Sequence, residues 1–243
     1  MKFEHNNISP LDSRYAEKIV PIREVFSEKA LIKTRFIIEI NWLLFLCNKM
    51  PNDFPELSNI SVNKILKFRD SFSDKDVLKI KKIESVTNHD VKAIEYYIAD
   101  FFKKDNQLKK YINLIHFGLT SEDINSLSYA IMIKKGIENY LKYIQNLNNI
   151  IKTLSRKWKS IPLLSRTHGQ AASPTTIGKE LKVFGARIDR EINTFKNIKP
   201  LAKFSGATGN YHTFEITNNK IDWPTMTAKF IKSFKVNQNP LTT

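Results

Sequence analysis

One stretch limits the possible folds more than any other. From Ile124 onward the apolar residues Leu127, Ile131, Ile137, Leu141, Ile144, Leu147, Ile151, Leu154 and Trp158 recur three or four apart, with one gap near Lys134. That spacing brings each side chain back to one side of a helix, so it predicts a long amphipathic helix with a bundle-type seam. Thirty-odd residues rising about 1.5 Å each make a rod of roughly 50–55 Å. Such a stripe needs partner helices along its length, from the same chain or from neighbouring subunits. The fold is therefore expected to be mainly α. A small N-terminal helical domain is expected over residues 1–115, followed by the first part of a long-helix bundle over 116–243.

The rest of the chain reads in the same way. Residues 1–22 look irregular, punctuated by Pro10 and Pro21. A helical pattern (Leu31, Phe36, Ile40, Leu43, Leu44, Cys47) runs from Ser27 to about Lys49, and Pro51 and Pro55 end it. Ser61 and Ser73 are expected to cap two short helices, and Asn88 to open another that ends near Phe102. Thr120-Ser121-Glu122-Asp123 opens the rod. After Pro162, Ser173-Pro174 predicts an N-cap with proline at the first helical position, leading a helix to about Lys196. Gly206, Gly209 and Asn210 among β-favouring residues suggest a small hairpin near 204–216. A last helix is expected from Asp222 to Phe234.

Composition narrows the function classes. Seven glycines in 243 residues argue against a barrel or a turn-rich β protein. Cys47 is the single cysteine, set in an apolar run, and reads as a small buried hydrophobe. The N-terminus shows no signal-peptide core, and no apolar run approaches the ~20 residues of a membrane span, so a cytoplasmic protein is expected. The formal charge of +15 is compatible with nucleic acid, an anionic membrane surface or an anionic small substrate. Its lysines are dispersed, however, as on solvated helix faces. Lys79, Lys81 and Lys82 come nearest to a basic run. No nucleic-acid or membrane partner is expected.

Three polar clusters stand at helix starts or in loops: Thr87-Asn88-His89-Asp90, Thr120-Ser121-Glu122-Asp123 and Ser165-Arg166-Thr167-His168-Gly169-Gln170. Helix N-termini offer free N–H donors to phosphate and carboxylate groups, and a histidine nearby can move protons near neutral pH. Each cluster alone reads equally as a helix cap or a structural loop. The five histidines and one cysteine show no metal-ligand spacing.

Thr-Asn-His-Asp-Val-Lys-Ala (87–93), His-Phe-Gly-Leu-Thr-Ser-Glu-Asp-Ile-Asn (116–125) and Leu-Leu-Ser-Arg-Thr-His-Gly-Gln (163–170) resemble blocks of the adenylosuccinate lyases, within the fumarase–aspartase superfamily. So do Ser-Pro-Leu-Asp-Ser-Arg-Tyr (9–15), Thr-Ile-Gly-Lys-Glu (176–180), Gly-Ala-Thr-Gly-Asn-Tyr (206–211) and Asn-Pro-Leu-Thr-Thr (239–243), all in family order. The resemblance implies β-elimination of fumarate from adenylosuccinate, giving AMP, and from SAICAR, giving AICAR. It requires neither metal nor cofactor, and it implies a homotetramer with active sites shared among subunits.

Carried over by position, His168 resembles the general acid that protonates the leaving nitrogen, and Thr167 a substrate contact beside it. His89 resembles the second active-site histidine, with Asn88 and Asp90 as neighbouring contacts. Thr120 and Ser121 resemble the pair that grips a carboxylate of the succinyl arm. Arg14 and Tyr15 resemble phosphate contacts, and Gln170 a positioning donor. Members of the family also carry a loop of the form Ser-Ser-x-Met-Pro-x-Lys-x-Asn-Pro, whose serine is the presumed base. That loop does not occur in residues 1–243. The resemblance therefore implies that this stretch alone is inactive and self-associates through its apolar stripes. The alternative is an inactive remnant that only associates with other subunits.

Overall fold

The computed structural model describes residues 9–243. It falls into two compact units: the residues through Ile133 together with Pro200–Thr243, and Lys134–Lys199.

The first unit is helical. Short 3-10 turns at Pro10–Asp12 and Ala16–Ile19 lead into α1 (Val20–Phe26) and α2 (Glu28–Lys49). Then follow α3 (Asn59–Asp70), α4 (Asp74–Thr87), α5 (Asp90–Lys103) and the start of α6 (Ser121–Lys157). The returning segment adds β3 (Leu201–Ala202), α8 (His212–Thr217), α9 (Trp223–Ser233) and β4 (Asn237–Gln238), with β3 and β4 paired in parallel.

α2 organises this unit because it is apolar on nearly every side, as a core helix must be. Phe36, Ile38, Ile40, Trp42, Leu43 and Leu46 are all buried. Toward one side the Phe36 ring packs on Phe68, Phe72 and Tyr97, with centroids 4.8–5.9 Å apart. Toward the other, the Trp42 ring meets Phe204, Phe214 and Phe230 mostly edge-on, the favoured geometry for aromatic pairs. The Trp42 indole N–H donates to the Phe117 carbonyl at 2.9 Å, which satisfies the ring's one polar atom. Cys47 is buried as expected, and burial pushes its thiol up to about 11.

The second unit holds the remainder of α6, a two-stranded antiparallel sheet of β1 (Pro162–Thr167) and β2 (Gln170–Thr176), and α7 (Ile177–Asn197). α7 packs along α6. Asp189 accepts hydrogen bonds from Asn148 and Lys152, and the Tyr140 and Phe195 rings meet at a tilt, 5.4 Å between centroids. At the α7 start Gly178 donates its N–H to the Trp158 carbonyl, and its own carbonyl accepts from the Ser155 hydroxyl at 2.6 Å. A second apolar face of α6 is uncovered: Tyr140, Tyr143, Leu147 and Ile150 are exposed, as is Phe184 of α7, whereas the stripe residues other than Leu147 are buried or half-buried.

Four sequence expectations are corrected. The cap of α3 is Ser58, which accepts from the Ser61 N–H, while Ser61 itself is buried in the first turn. Asn88 does not open α5. It ends α4 in a left-handed conformation that asparagine tolerates, and His89 is the cap. Ser173-Pro174 does not start a helix: both lie in β2, and Thr176 caps α7. The small hairpin expected near 204–216 is replaced by turns and α8. The hairpin lies instead at 162–176, where the sequence spacing gave no period-2 signal strong enough to compete with the serine–proline signature.

The lysines that came nearest to a basic run are partly neutralised by carboxylates of their own helix and of α2. Lys79 pairs with Asp76, and Lys81 with Glu28 and Glu84. No helix among the described residues is long and apolar enough to cross a membrane.

A Cβ at position 178 would overlap the Ser155 carbonyl oxygen and the Lys159 backbone. Gly178→Ala is expected to push the start of α7 off α6 and destabilise the protein by about 1–3 kcal/mol. An unchanged thermal unfolding midpoint would refute the close approach.

Candidate functional site

The first unit brings two of the three polar clusters together at helix N-termini. His89 caps α5 through its ring: Nδ1 accepts the Lys92 N–H at 3.2 Å. Its far nitrogen, Nε2, faces the Ser121 hydroxyl at 3.5 Å. Ser121 is the first residue of α6, so two positive helix ends open at one point. Asn88, His89 and Asp90 are exposed there, and Thr120 and Ser121 partly so.

A buried carboxylate builds the α6 end. Asp123 is the third residue of α6, and its Oδ2 reaches back to accept the Thr120 N–H at 3.0 Å, half of a capping box. The same group accepts from the Lys203 ammonium, the Ser205 N–H and the Gly206 N–H at 3.0–3.2 Å. Lys203 also donates to the Gly206 carbonyl, and its backbone N–H to the Ser126 hydroxyl. Asp123 is fully buried and Lys203 nearly so. The loop at 203–206 is thereby fastened to the start of α6, and the Ser205 hydroxyl bonds that of Thr242 at 3.1 Å.

Two buried charges on α2 support the same site from below, one turn apart. The Arg35 guanidinium lies 2.7 Å from the Asp90 carboxylate. Burial would push the Asp90 carboxyl up, but Arg35 and the Val91 N–H hold it below its ordinary value. Glu39 lies 2.6 Å from Nδ1 of His116, just ahead of Thr120 in sequence, and Glu95 is 3.8 Å away. Burial would lower His116, but the Glu39 charge and hydrogen bond, helped by Glu95 and opposed by Lys92, raise it above its ordinary value. Arg35, Glu39, His116 and Lys203 were not picked out from sequence. His116 did lie inside a quoted block, whereas Glu39 and Arg35 sit in an apolar run with nothing to mark them.

Thr167, His168 and Gln170 belong to the other unit. Thr167 pairs with Gln170 across a two-residue turn of His168 and Gly169. Both turn residues have positive φ, 52° and 74°, the type I′ geometry that matches hairpin twist. His168 is thus presented at the exposed tip of a hairpin. Arg14 and Tyr15 lie between the two N-terminal 3-10 turns, with the guanidinium 5.5 Å from the Tyr15 ring centroid.

These features place the chain among known proteins. A family model described as "Lyase" matches residues 14–242, and the chain belongs to that family. It is 41% identical over 238 residues to an adenylosuccinate lyase of Buchnera aphidicola, and 38% identical over 238 residues to that of Escherichia coli K12. Each alignment covers 97% of this chain, which spans about half the length of these curated relatives (51% and 52%). Two solved structures share the fold. One is a β-carboxy-cis,cis-muconate cycloisomerase from Acinetobacter calcoaceticus (TM-score 0.75, 17% identity, 95% of this chain and 52% of that one). The other is a fumarate lyase from Mesorhizobium (TM-score 0.73, 18% identity, 91% and 49%).

Two outcomes test this geometry. Asp123→Ala leaves Lys203 buried without its counter-charge, and is expected to cost roughly 3–5 kcal/mol in chemical denaturation. A loss below 1 kcal/mol would mean that the loop holds itself. The second concerns pH. Because the folded-state value of His116 is raised, its pair with Glu39 contributes fully below the ordinary histidine value of about 6.5. That contribution is lost as pH rises through the higher folded value. The stability gap between wild type and Glu39→Gln should therefore shrink as pH rises above about 6.5. A gap independent of pH in that window would refute the pairing.

Proposed function

We propose that this chain is part of an adenylosuccinate lyase subunit that eliminates fumarate from adenylosuccinate and from SAICAR. The observation that carries this reading is the facing pair of helix N-termini, with His89 Nε2 and the Ser121 hydroxyl 3.5 Å apart, in a chain matched by a lyase family model over residues 14–242. An elimination needs donors preset for a developing aci-carboxylate, and a helix start supplies them as hydroxyl and backbone N–H groups. In this reading Thr120 and Ser121 hold a carboxylate of the succinyl arm, with Asn88, His89 and Asp90 as neighbouring contacts. Arg14 and Tyr15 take the phosphate, and Thr167 and Gln170 position substrate.

The reaction proceeds as follows. A base removes a proton from the carbon beside a carboxylate, and that electron pair becomes the new C=C bond of fumarate. The C–N bond breaks, its electrons stay on nitrogen, and His168 supplies the proton that nitrogen needs. The base would come from the family's signature loop, outside residues 1–243. The uncovered apolar face of Tyr140, Tyr143, Leu147 and Ile150 fits a subunit interface, as in a homotetramer whose central bundle is built from residues 116 onward.

The test is to purify the protein carrying this sequence from its native cell, measure its intact mass, and assay fumarate release from both substrates. The native protein is expected to be near twice the mass of this chain and active, while residues 1–243 alone release no fumarate. His168→Ala in the active form is expected to lose roughly 10²–10⁴-fold in turnover. A native protein without lyase activity, or one unaffected by His168→Ala, would overturn the assignment.

A further inference from the structure

We infer that the α5 cap fixes His89 as the tautomer protonated on Nε2, so that the nitrogen facing Ser121 is a hydrogen-bond donor. Nδ1 lies 3.2 Å from the Lys92 backbone nitrogen, whose hydrogen points at it. A hydrogen on Nδ1 would set two donors against each other and leave a first-turn N–H of α5 without its cap.

The one group nearby that could draw a proton to Nδ1 is the Asp90 carboxylate, and it is already engaged. Its Oδ1 accepts the Val91 N–H at 2.8 Å, its Oδ2 pairs with Arg35 at 2.7 Å, and Oδ1 stands 3.7 Å from Nδ1, beyond hydrogen-bond reach. A neutral imidazole carries a single N–H, so it falls on Nε2. At 3.5 Å the contact with the Ser121 hydroxyl is long for a hydrogen bond, and an anionic oxygen entering there can take a donor from each.

The tautomer stands on geometry alone; its consequence for catalysis rests on the lyase reading. In that reading His89 grips an anionic substrate oxygen and cannot take the carbon-bound proton through Nε2. The helix cap thus divides the labour between the two histidines, leaving proton delivery to His168.

The direct test is long-range ¹H–¹⁵N correlation of the His89 ring in the protein, in its neutral form. The Nε2–H pattern is expected; the Nδ1–H pattern, or an even mixture, would overturn the inference. Exchange of the Lys92 amide hydrogen supplies a second readout. Asparagine places its side-chain oxygen where Nδ1 was, so His89→Asn is expected to keep the amide protected. Glutamine places its amide near Nε2 and loses the cap, so His89→Gln is expected to exchange about five-fold faster, the equivalent of roughly 1 kcal/mol of capping. Equal exchange in both variants would show that Nδ1 is not the acceptor. Neither readout needs lyase activity, so failure here is separable from failure of the proposed function.

Discussion

The arrangement depends first on the carboxylate of Asp123. One buried group satisfies the Thr120 N–H at the head of α6, the Lys203 ammonium and two N–H groups of the loop that follows, Ser205 and Gly206. A lone buried charge would be very costly, and a buried pair is seldom a net gain over apolar packing. What such a pair does supply is geometry. Lys203 lies 80 residues further along the chain from Asp123, so the bond fixes where the returning segment meets α6. The start of α6, with Thr120 and Ser121, is held to the unit by this knot together with the buried Ile124 and Leu127, and the knot adds the direction that apolar contacts, which tolerate sliding, do not supply.

α2 repeats the device. Arg35 and Glu39 are the two charged side chains buried among its aromatic and aliphatic neighbours, and each reaches one side of the site: Arg35 to Asp90 beside His89, Glu39 to His116 ahead of Thr120. The most deeply packed helix of the unit thereby sets the relative position of the two helix starts. Donors at helix starts are most effective when they are aimed in advance. Bonds made at 2.6–2.7 Å from a rigid core helix can maintain that aim where an exposed loop could not.

Helical periodicity was legible over most of this fold because each apolar stripe is a local signal. α2, α6 and α9 begin and end within a residue or two of where their stripes and caps place them. The failures occur where local chemistry permits two answers. Asn88 suits an N-cap and a left-handed C-cap equally, and the choice falls to His89, whose ring makes the bond that asparagine was expected to make. Ser173-Pro174 is a fair helix start, yet pairing with Pro162–Leu164 draws it into a strand. Gly206 and Gly209 suggested a hairpin, whereas the N–H of Gly206 serves Asp123 instead. No local pattern could reveal that partner, or the bond from Glu39 to His116 across 77 residues. The candidate site residues were named from block resemblance rather than from spacing.

His168 makes a final point about why a residue stands where it does. The first position of a type I′ turn requires positive φ, and glycine, asparagine or aspartate meets that demand with the least strain. A histidine there carries a backbone conformation that costs of order 1–3 kcal/mol for most residues other than glycine. It makes no compensating burial, since the ring lies at an exposed tip. Nothing in the hairpin's own stability explains the choice. The turn places an imidazole at the furthest reach of a short two-stranded arm, with Gly169 beside it taking the other left-handed position and adding no bulk. An arm of that kind holds the ring clear of its own strands, and the positive-φ turn fixes the direction in which the ring leaves the strand.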